Sequence, residues 1–180
     1  MKRIEMILKG VSAVIVVTIV VIIGISFHSV FNGLTSKDFI GTPGVSVSAI
    51  ERQAKSQRLV LVLFKDGCPW CQATRPVLTK VKESGNIADQ ARIVYANVED
   101  NEGKLLAQKY KVSSAPGLVL LARGGQQVTQ LDYNGKTYHY PGTDELVSPQ
   151  NGVTNVNSPD QVNVNEDYLQ AAINTEWGEN

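Results

Sequence analysis

The chain has 180 residues, 43% of them apolar, which is enough for one domain with a hydrophobic core plus appended segments. Its 17 basic and 17 acidic side chains give no net charge, so we expect no nucleic-acid partner. The only cysteines are Cys68 and Cys71, and the only histidines are His28 and His139. A structural zinc site needs about four ligands. His28 lies in an apolar N-terminal segment, so too few ligands remain for such a site. We therefore expect no metal and no other cofactor.

An apolar segment, residues 10–31, is predicted to be an N-terminal transmembrane signal anchor. No charged side chain occurs between Lys9 and Lys37, and such a segment can cross a hydrocarbon core of roughly 30 Å. Basic residues cluster before the segment and only Lys37 follows closely, so the positive-inside rule places residues 1–9 in the cytoplasm. The rest of the chain is then expected outside the cytoplasm, at the cell membrane.

A cleaved signal peptide is the alternative for this segment. However, its apolar run is longer than that of a usual signal peptide, and no A-x-A-like cleavage site follows it. Residues 32–45 are polar and rich in Gly, Thr and Ser, which is typical of a linker. We therefore predict a linker there and a folded domain over residues 46–180.

Helical and strand patterns alternate along this domain. The predicted elements, in chain order, are a helix capped by Ser46 or Ser48, the strand Leu59–Phe64, a helix from Cys71 to Ser84 kinked at Pro76, the strand Arg92–Val98, the helix Glu102–Tyr110, the strands Gly117–Ala122 and Gln126–Tyr133, and a closing helix Glu166–Asn174. In the helix before Tyr110, Leu105, Leu106 and Tyr110 are predicted to face the core. This order implies a mixed sheet covered by helices on both faces, an α/β fold.

Two segments near the C-terminus are additions to this pattern. Asn134-Gly135 predicts a tight turn into a hairpin strand, about residues 134–140, on the edge of the sheet. Residues 141–165 are rich in Asn, Ser, Pro, Gly and Thr with few apolar side chains. We therefore predict a loop insertion of low packing power there.

The candidate chemistry lies at the start of the second helix. Cys68 and Cys71 are three residues apart where a strand ends and a helix begins, so they can close a small disulfide. The positive end of the helix favours a thiolate. A C-x-x-C pair in this setting favours redox chemistry first and metal binding second. Gly67 allows the backbone to turn tightly just before the pair.

These motifs together resemble those of the thioredoxin superfamily. Cys68-Pro69-Trp70-Cys71 stands at the family's active-site position, and Pro76 matches the kink proline of the following helix. The segment Tyr110–Pro116, followed by a strand, matches the segment that carries the family's cis-proline. The resemblance implies a thioredoxin-like fold and protein thiols or disulfides as partners.

The resemblance also assigns expected roles. The more exposed Cys68 would be the attacking thiolate, and Cys71 would resolve the mixed disulfide. Pro116, if cis, would present the backbone of Ala115 to an extended substrate segment. Trp70 has two interpretations: an apolar contact for a protein substrate, or a side chain that packs over the motif.

Two features depart from thioredoxins proper. The family carries a buried acidic residue six positions before the first active-site cysteine, and here that position is Val62. The dipeptide between the cysteines is Pro-Trp instead of Gly-Pro. Pro followed by an aromatic residue is similar to glutaredoxins, and Pro in the first place also occurs in extracytoplasmic oxidases. The subfamily therefore stays open.

Three functional hypotheses follow. The first is a membrane-tethered thiol–disulfide oxidoreductase acting on extracytoplasmic proteins, with a separate electron donor or acceptor. The compartment favours making or correcting disulfides, but the sequence leaves oxidase or isomerase against reductase open. The alternatives are a thioredoxin-fold binding or assembly module of a membrane complex and a cytoplasm-facing glutaredoxin-like reductase.

Overall fold

A computed structural model describes residues 38–85 and 90–178 of the chain. The predicted cytoplasmic segment 1–9, the predicted transmembrane segment 10–31 and the first part of the predicted linker lie outside the described residues. Within the two described ranges, no helix is both long and apolar enough to span a membrane.

The described residues form alternating helices and strands. In chain order these are α1 (Val47–Ala54), β1 (Leu59–Phe64), α2 (Pro69–Ser84), β2 (Arg92–Asn97), α3 (Asn101–Lys109), β3 (Gly117–Leu121), β4 (Gln127–Val128), β5 (Gln130–Tyr133), β6 (Lys136–His139), α4 (Thr143–Leu146), β7 (Val147–Pro149), a 3-10 turn (Pro159–Gln161), β8 (Val162–Val164) and α5 (Glu166–Asn174). The predicted cap of α1 is confirmed, since Ser46 Oγ accepts a hydrogen bond from the Ala49 N–H at 3.2 Å.

The main sheet has the strand order β2-β1-β3-β4. β1 pairs in parallel with β2 and antiparallel with β3, and β3 pairs antiparallel with β4. β1 is therefore a central strand, and its six residues are all buried. The predicted mixed sheet is confirmed.

Alternate residues of β1 face two different apolar layers, as the period of two in a strand requires. Val60, Val62 and Phe64 pack with α2 and α5. Leu59, Leu61 and Leu63 pack with α1 and α3. Helices on both faces explain why β1 is apolar at consecutive positions.

The edge of the sheet differs from the prediction. The strand predicted over 126–133 is interrupted at Thr129, and only Gln127 and Val128 pair with β3. β5 and β6 pair with each other in a separate two-stranded sheet, so the hairpin strand forms but does not extend the main sheet. Asn134 and Gly135 both have positive φ, 52° and 76°, which fits the tight turn that joins the two strands.

The prediction of a loop of low packing power over 141–165 was wrong. The segment contains α4, β7, the 3-10 turn and β8, and it buries Leu146, Val147 and Val162 in the core beside α2. β7 and β8 pair with each other, so part of its backbone hydrogen bonding is internal. A few well-placed apolar residues suffice to pack a segment whose composition is mostly polar.

The inner face of α3 was predicted with one residue in error. Leu106 is fully buried and Tyr110 nearly so, but Leu105 is 49% exposed. Neighbouring residues on a helix point about 100° apart, and in α3 the core side is taken by Leu106 while Leu105 lies toward the solvent. In α2, Leu78 and Val81 are buried, and the helix continues through the exposed Pro76 to Ser84.

Candidate active site

The two cysteines lie at the junction of β1 and α2, as the sequence predicts. Cys68 is the N-cap residue of α2 and is partly exposed, whereas Cys71 is fully buried in the first turn. Pro69 is the first helical residue, where its missing N–H has no intrahelical partner to lose. Gly67 has φ +67°, a conformation that disfavours any residue with a side chain. Gly67 and Pro69 thus shape the turn that presents Cys68.

The environment of Cys68 favours its thiolate. A hydrogen bond from the Cys71 thiol is the main cause that lowers the pKa of Cys68 to about 6. The backbone N–H groups of Cys71 and Trp70 and the charge of Lys65 lower the pKa further, while burial opposes them. Lys65 itself forms an exposed ion pair with Glu99 at 3.2 Å. Local hydrogen bonds at the helix start therefore dominate over the surface charge.

Cys71 is held in the opposite state. Its hydrogen bond to Cys68 and its burial raise the pKa of the Cys71 thiol, and the negative charge of Asp38 adds to the rise. The apolar cluster around Cys71 includes the fully buried Val62, the position where the family carries an acid. The lowered pKa of the partly exposed Cys68 and the raised pKa of the buried Cys71 therefore favour one thiolate and one thiol at neutral pH.

The loop before β3 lies beside the reactive sulfur. Cys68 Sγ is 3.8 Å from the carbonyl oxygen of Ala115, and the Ala115–Pro116 peptide is cis, as the resemblance implies. Pro116 is buried and Ala115 is partly exposed. The structure thus brings Cys68, Cys71, Ala115 and Pro116 together.

Trp70 and Pro76 have different positions relative to this site. Trp70 is half-buried against the core cluster around α2, a position that fits both a substrate contact and packing over the motif. Pro76 lies about two turns further along α2 than Pro69 and is exposed. It belongs to the supporting helix and does not adjoin the sulfur atoms.

Sequence reasoning missed Asp38, which lies in the predicted linker. Its Oδ1 atom accepts hydrogen bonds from the Gly67 N–H and from Gln72 Nε2, both at 3.0 Å. Asp38 is the only acidic residue of residues 32–45, and the aromatic Phe39 follows it. The large apolar side chain of Phe39 in a stretch rich in Gly, Thr and Ser was a signal that this stretch packs on the domain.

Thr143 in α4 was also missed. Its hydroxyl donates to the carbonyl oxygen of Pro116 at 3.0 Å, and the Ser114 hydroxyl lies 2.9 Å away. His139 is exposed on β6, with its Nδ1 2.8 Å from Glu145 Oε1. Among residues 38–85 and 90–178, no group of three or more His, Cys, Asp or Glu side chains could hold a metal ion.

A family profile described as Thioredoxin matches residues 47–139 of the chain. A comparison with curated proteins found no match.

Several solved structures are similar to the chain. Mitochondrial thioredoxin 3 from Saccharomyces cerevisiae, in its oxidized form, is 21% identical over 55% of this chain and 82% of that one, with a TM-score of 0.40. Trxlp from Edwardsiella tarda is 21% identical over 56% and 88%, with a TM-score of 0.40. A mutant thioredoxin from Halobacterium salinarum is 22% identical over 60% and 83%, with a TM-score of 0.39.

Proposed function

The chain belongs to the thioredoxin family, and on that premise we propose that it is a thiol–disulfide oxidoreductase tethered to the membrane by residues 10–31. Through Cys68 and Cys71 it exchanges disulfides with proteins outside the cytoplasm. The observation that carries the proposal is the difference in exposure and thiol pKa between the two cysteines. The partly exposed Cys68 has its pKa lowered to about 6 by its hydrogen bond from Cys71, whereas Cys71 is buried.

The exchange proceeds in two displacements. The Cys68 thiolate attacks one sulfur of a substrate disulfide, an S–S bond forms between them, and the substrate's other sulfur leaves as a thiolate that takes a proton from water. Cys71 then loses its proton and attacks Cys68 Sγ, and the second substrate sulfur leaves. Two electrons pass to the substrate, which ends as a dithiol, and the chain ends with a Cys68–Cys71 disulfide. The reverse sequence oxidises a substrate dithiol.

The surface beside Cys68 suits an extended protein segment. The Ala115 carbonyl oxygen is 3.8 Å from Cys68 Sγ, and Trp70, two residues after Cys68 in the chain, is partly exposed and apolar. A backbone acceptor and an aromatic ring are contacts that many sequences can use. In this proposal Ala115, Pro116 and Trp70 bind the substrate without selecting one sequence.

The proposed direction is the formation or correction of disulfides, because extracytoplasmic compartments are oxidising. A separate dithiol or disulfide protein returns the pair to its starting state. The measurement that decides the direction is the reduction potential of the Cys68–Cys71 pair against glutathione. A value near about −120 mV indicates an oxidase and one near about −270 mV a reductase.

Activity is tested with the full-length chain in detergent and a model protein that contains one accessible disulfide. We expect Cys68→Ser to abolish exchange while its thermal unfolding stays close to that of the wild type. Equal exchange by the wild type and Cys68→Ser would refute the proposed role of Cys68, and no exchange by either protein would favour a binding module. The retention of both cysteines at the family's active-site position argues against that second candidate.

Topology is tested in intact cells with a thiol reagent that cannot cross membranes. Labelling of reduced Cys68 before lysis is the expected result. Labelling only after lysis would refute the extracytoplasmic orientation and favour the cytoplasm-facing reductase.

A further inference from the structure

A single carboxylate oxygen connects the two ends of the cysteine motif. Asp38 Oδ1 accepts a hydrogen bond from the N–H of Gly67, the residue before Cys68, and another from Nε2 of Gln72, the residue after Cys71. Both distances are 3.0 Å. Asp38 belongs to neither β1 nor α2, and it contacts the residues on both sides of the cysteine motif.

The position of Asp38 is fixed by the core of the domain. The next residue, Phe39, is only 6% exposed and packs against Phe64 and Tyr95, with ring centroids 5.5 and 5.3 Å away. Thr42 exchanges two hydrogen bonds with the backbone of Tyr95 on β2, each 2.9 Å long. The segment 38–42 therefore lies along the outer strand of the main sheet, and the Asp38 carboxylate has a defined location.

The bond to Gly67 acts at the point where the turn is most demanding. Gly67 has φ +67°, and its N–H points to a carboxylate, the stronger kind of acceptor. This turn orients Cys68 toward the N–H groups of Trp70 and Cys71, which favour the Cys68 thiolate. A loss of the Asp38 acceptor would loosen the alignment on which that stabilisation depends.

We propose that Asp38 is a positioning residue of the redox site, holding the turn before Cys68 and the first turn of α2 in one arrangement through its Oδ1 atom. The role in turnover rests on the proposed exchange reaction, but the effect on Cys68 reactivity does not. Asp38 acts on Cys68 through Gly67 and Gln72, and its negative charge adds to the rise in the pKa of the Cys71 thiol.

The test measures alkylation of Cys68 by iodoacetamide against pH in the full-length reduced chain. Asp38→Ala removes the acceptor, so we expect the midpoint to rise by about one pH unit and the rate near pH 6 to fall about fivefold. Asp38→Asn keeps an oxygen that can accept from both donors, so it should not raise the midpoint.

The sign of the shift distinguishes positioning from charge. If Asp38 acted only through its negative charge, both substitutions would lower the thiol pKa, because a nearby anion disfavours a thiolate. Lowered midpoints in both variants would overturn the proposal. Unchanged midpoints in both, or equal rises in both, would also overturn it, since Asp38→Asn retains the bridging oxygen.

One further variant serves as a control. Asp132→Asn removes a carboxylate from β5 and should change nothing. The alkylation assay needs no protein substrate. It therefore tests Asp38 even if the chain proves unable to exchange protein disulfides, which the Cys68→Ser comparison reports separately.

Discussion

Thr143 donates its hydroxyl hydrogen to the carbonyl oxygen of Pro116 at a distance of 3.0 Å. Its oxygen lies 2.9 Å from the Ser114 hydroxyl, so one side chain of α4 holds two residues of the loop beside Cys68. Ala115, between them, has its carbonyl oxygen 3.8 Å from Cys68 Sγ. The segment 141–165 is therefore physically connected to the proposed substrate surface.

This connection predicts the effect of Thr143→Val, which keeps the branched shape and removes the hydroxyl. We expect kcat/KM for a protein disulfide to fall by about three- to tenfold, the size of one hydrogen bond of about 1 kcal/mol. Alkylation of Cys68 by a small reagent should stay unchanged, because that reaction does not use the loop. Thr137→Val, on the exposed face of β6, is the matched control. Equal losses in the two variants would contradict a specific role for Thr143.

The lowered pKa of Cys68 predicts the pH dependence of its reactivity. Its hydrogen bond from Cys71 lowers the pKa to about 6, so the thiolate is the main form at neutral pH. The alkylation rate of the folded, reduced chain should rise through pH about 6 and level off above it, and it should fall about tenfold for each pH unit below that midpoint. Mass spectrometry of alkylated peptides gives the rate. A midpoint near the ordinary thiol value of about 8.5 would contradict the prediction.

The division of roles predicts a trapped intermediate in Cys71→Ser. Without the resolving sulfur, the mixed disulfide between Cys68 and the substrate cannot be displaced from within the chain. We expect a covalent adduct on a non-reducing gel that disappears after addition of a reductant. Cys68→Ser, incubated in parallel, should give none. An adduct in Cys68→Ser but not in Cys71→Ser would reverse the assignment of the two roles.

The sequence predicted the central layers of the fold well, for physical reasons. Six consecutive apolar residues predict a strand that is covered on both faces, and the predicted bounds of β1 are those of the structure. The strand-to-helix junction at Cys68 followed from local signals as well. Such signals describe neighbours along the chain. They did not reveal that the chain leaves the main sheet after Val128, because strand pairing is a long-range choice.

The same difference between local and long-range signals applies to the candidate site. Cys68, Cys71 and Pro116 were identified from short motifs, and the structure brings them together. Asp38 and Thr143 reach this site across 29 and 27 residues of sequence, to Gly67 and Pro116 respectively. A single polar side chain carries no periodicity, so its distant partner cannot be inferred from one sequence.

The correction to segment 141–165 leads to a stability prediction. Leu146 is fully buried in the core beside α2, and the loss of its side chain would leave a cavity. We expect Leu146→Ala to lower the free energy of unfolding by about 2–5 kcal/mol. Leu105→Ala removes the same atoms from a side chain that is 49% exposed, and it should change stability by about 0.5 kcal/mol or less. Urea unfolding of the full-length chain, followed by tryptophan fluorescence, measures both values. Similar losses in the two variants, or a small loss in Leu146→Ala, would mean that the segment does not pack as described and would restore the prediction of a loop.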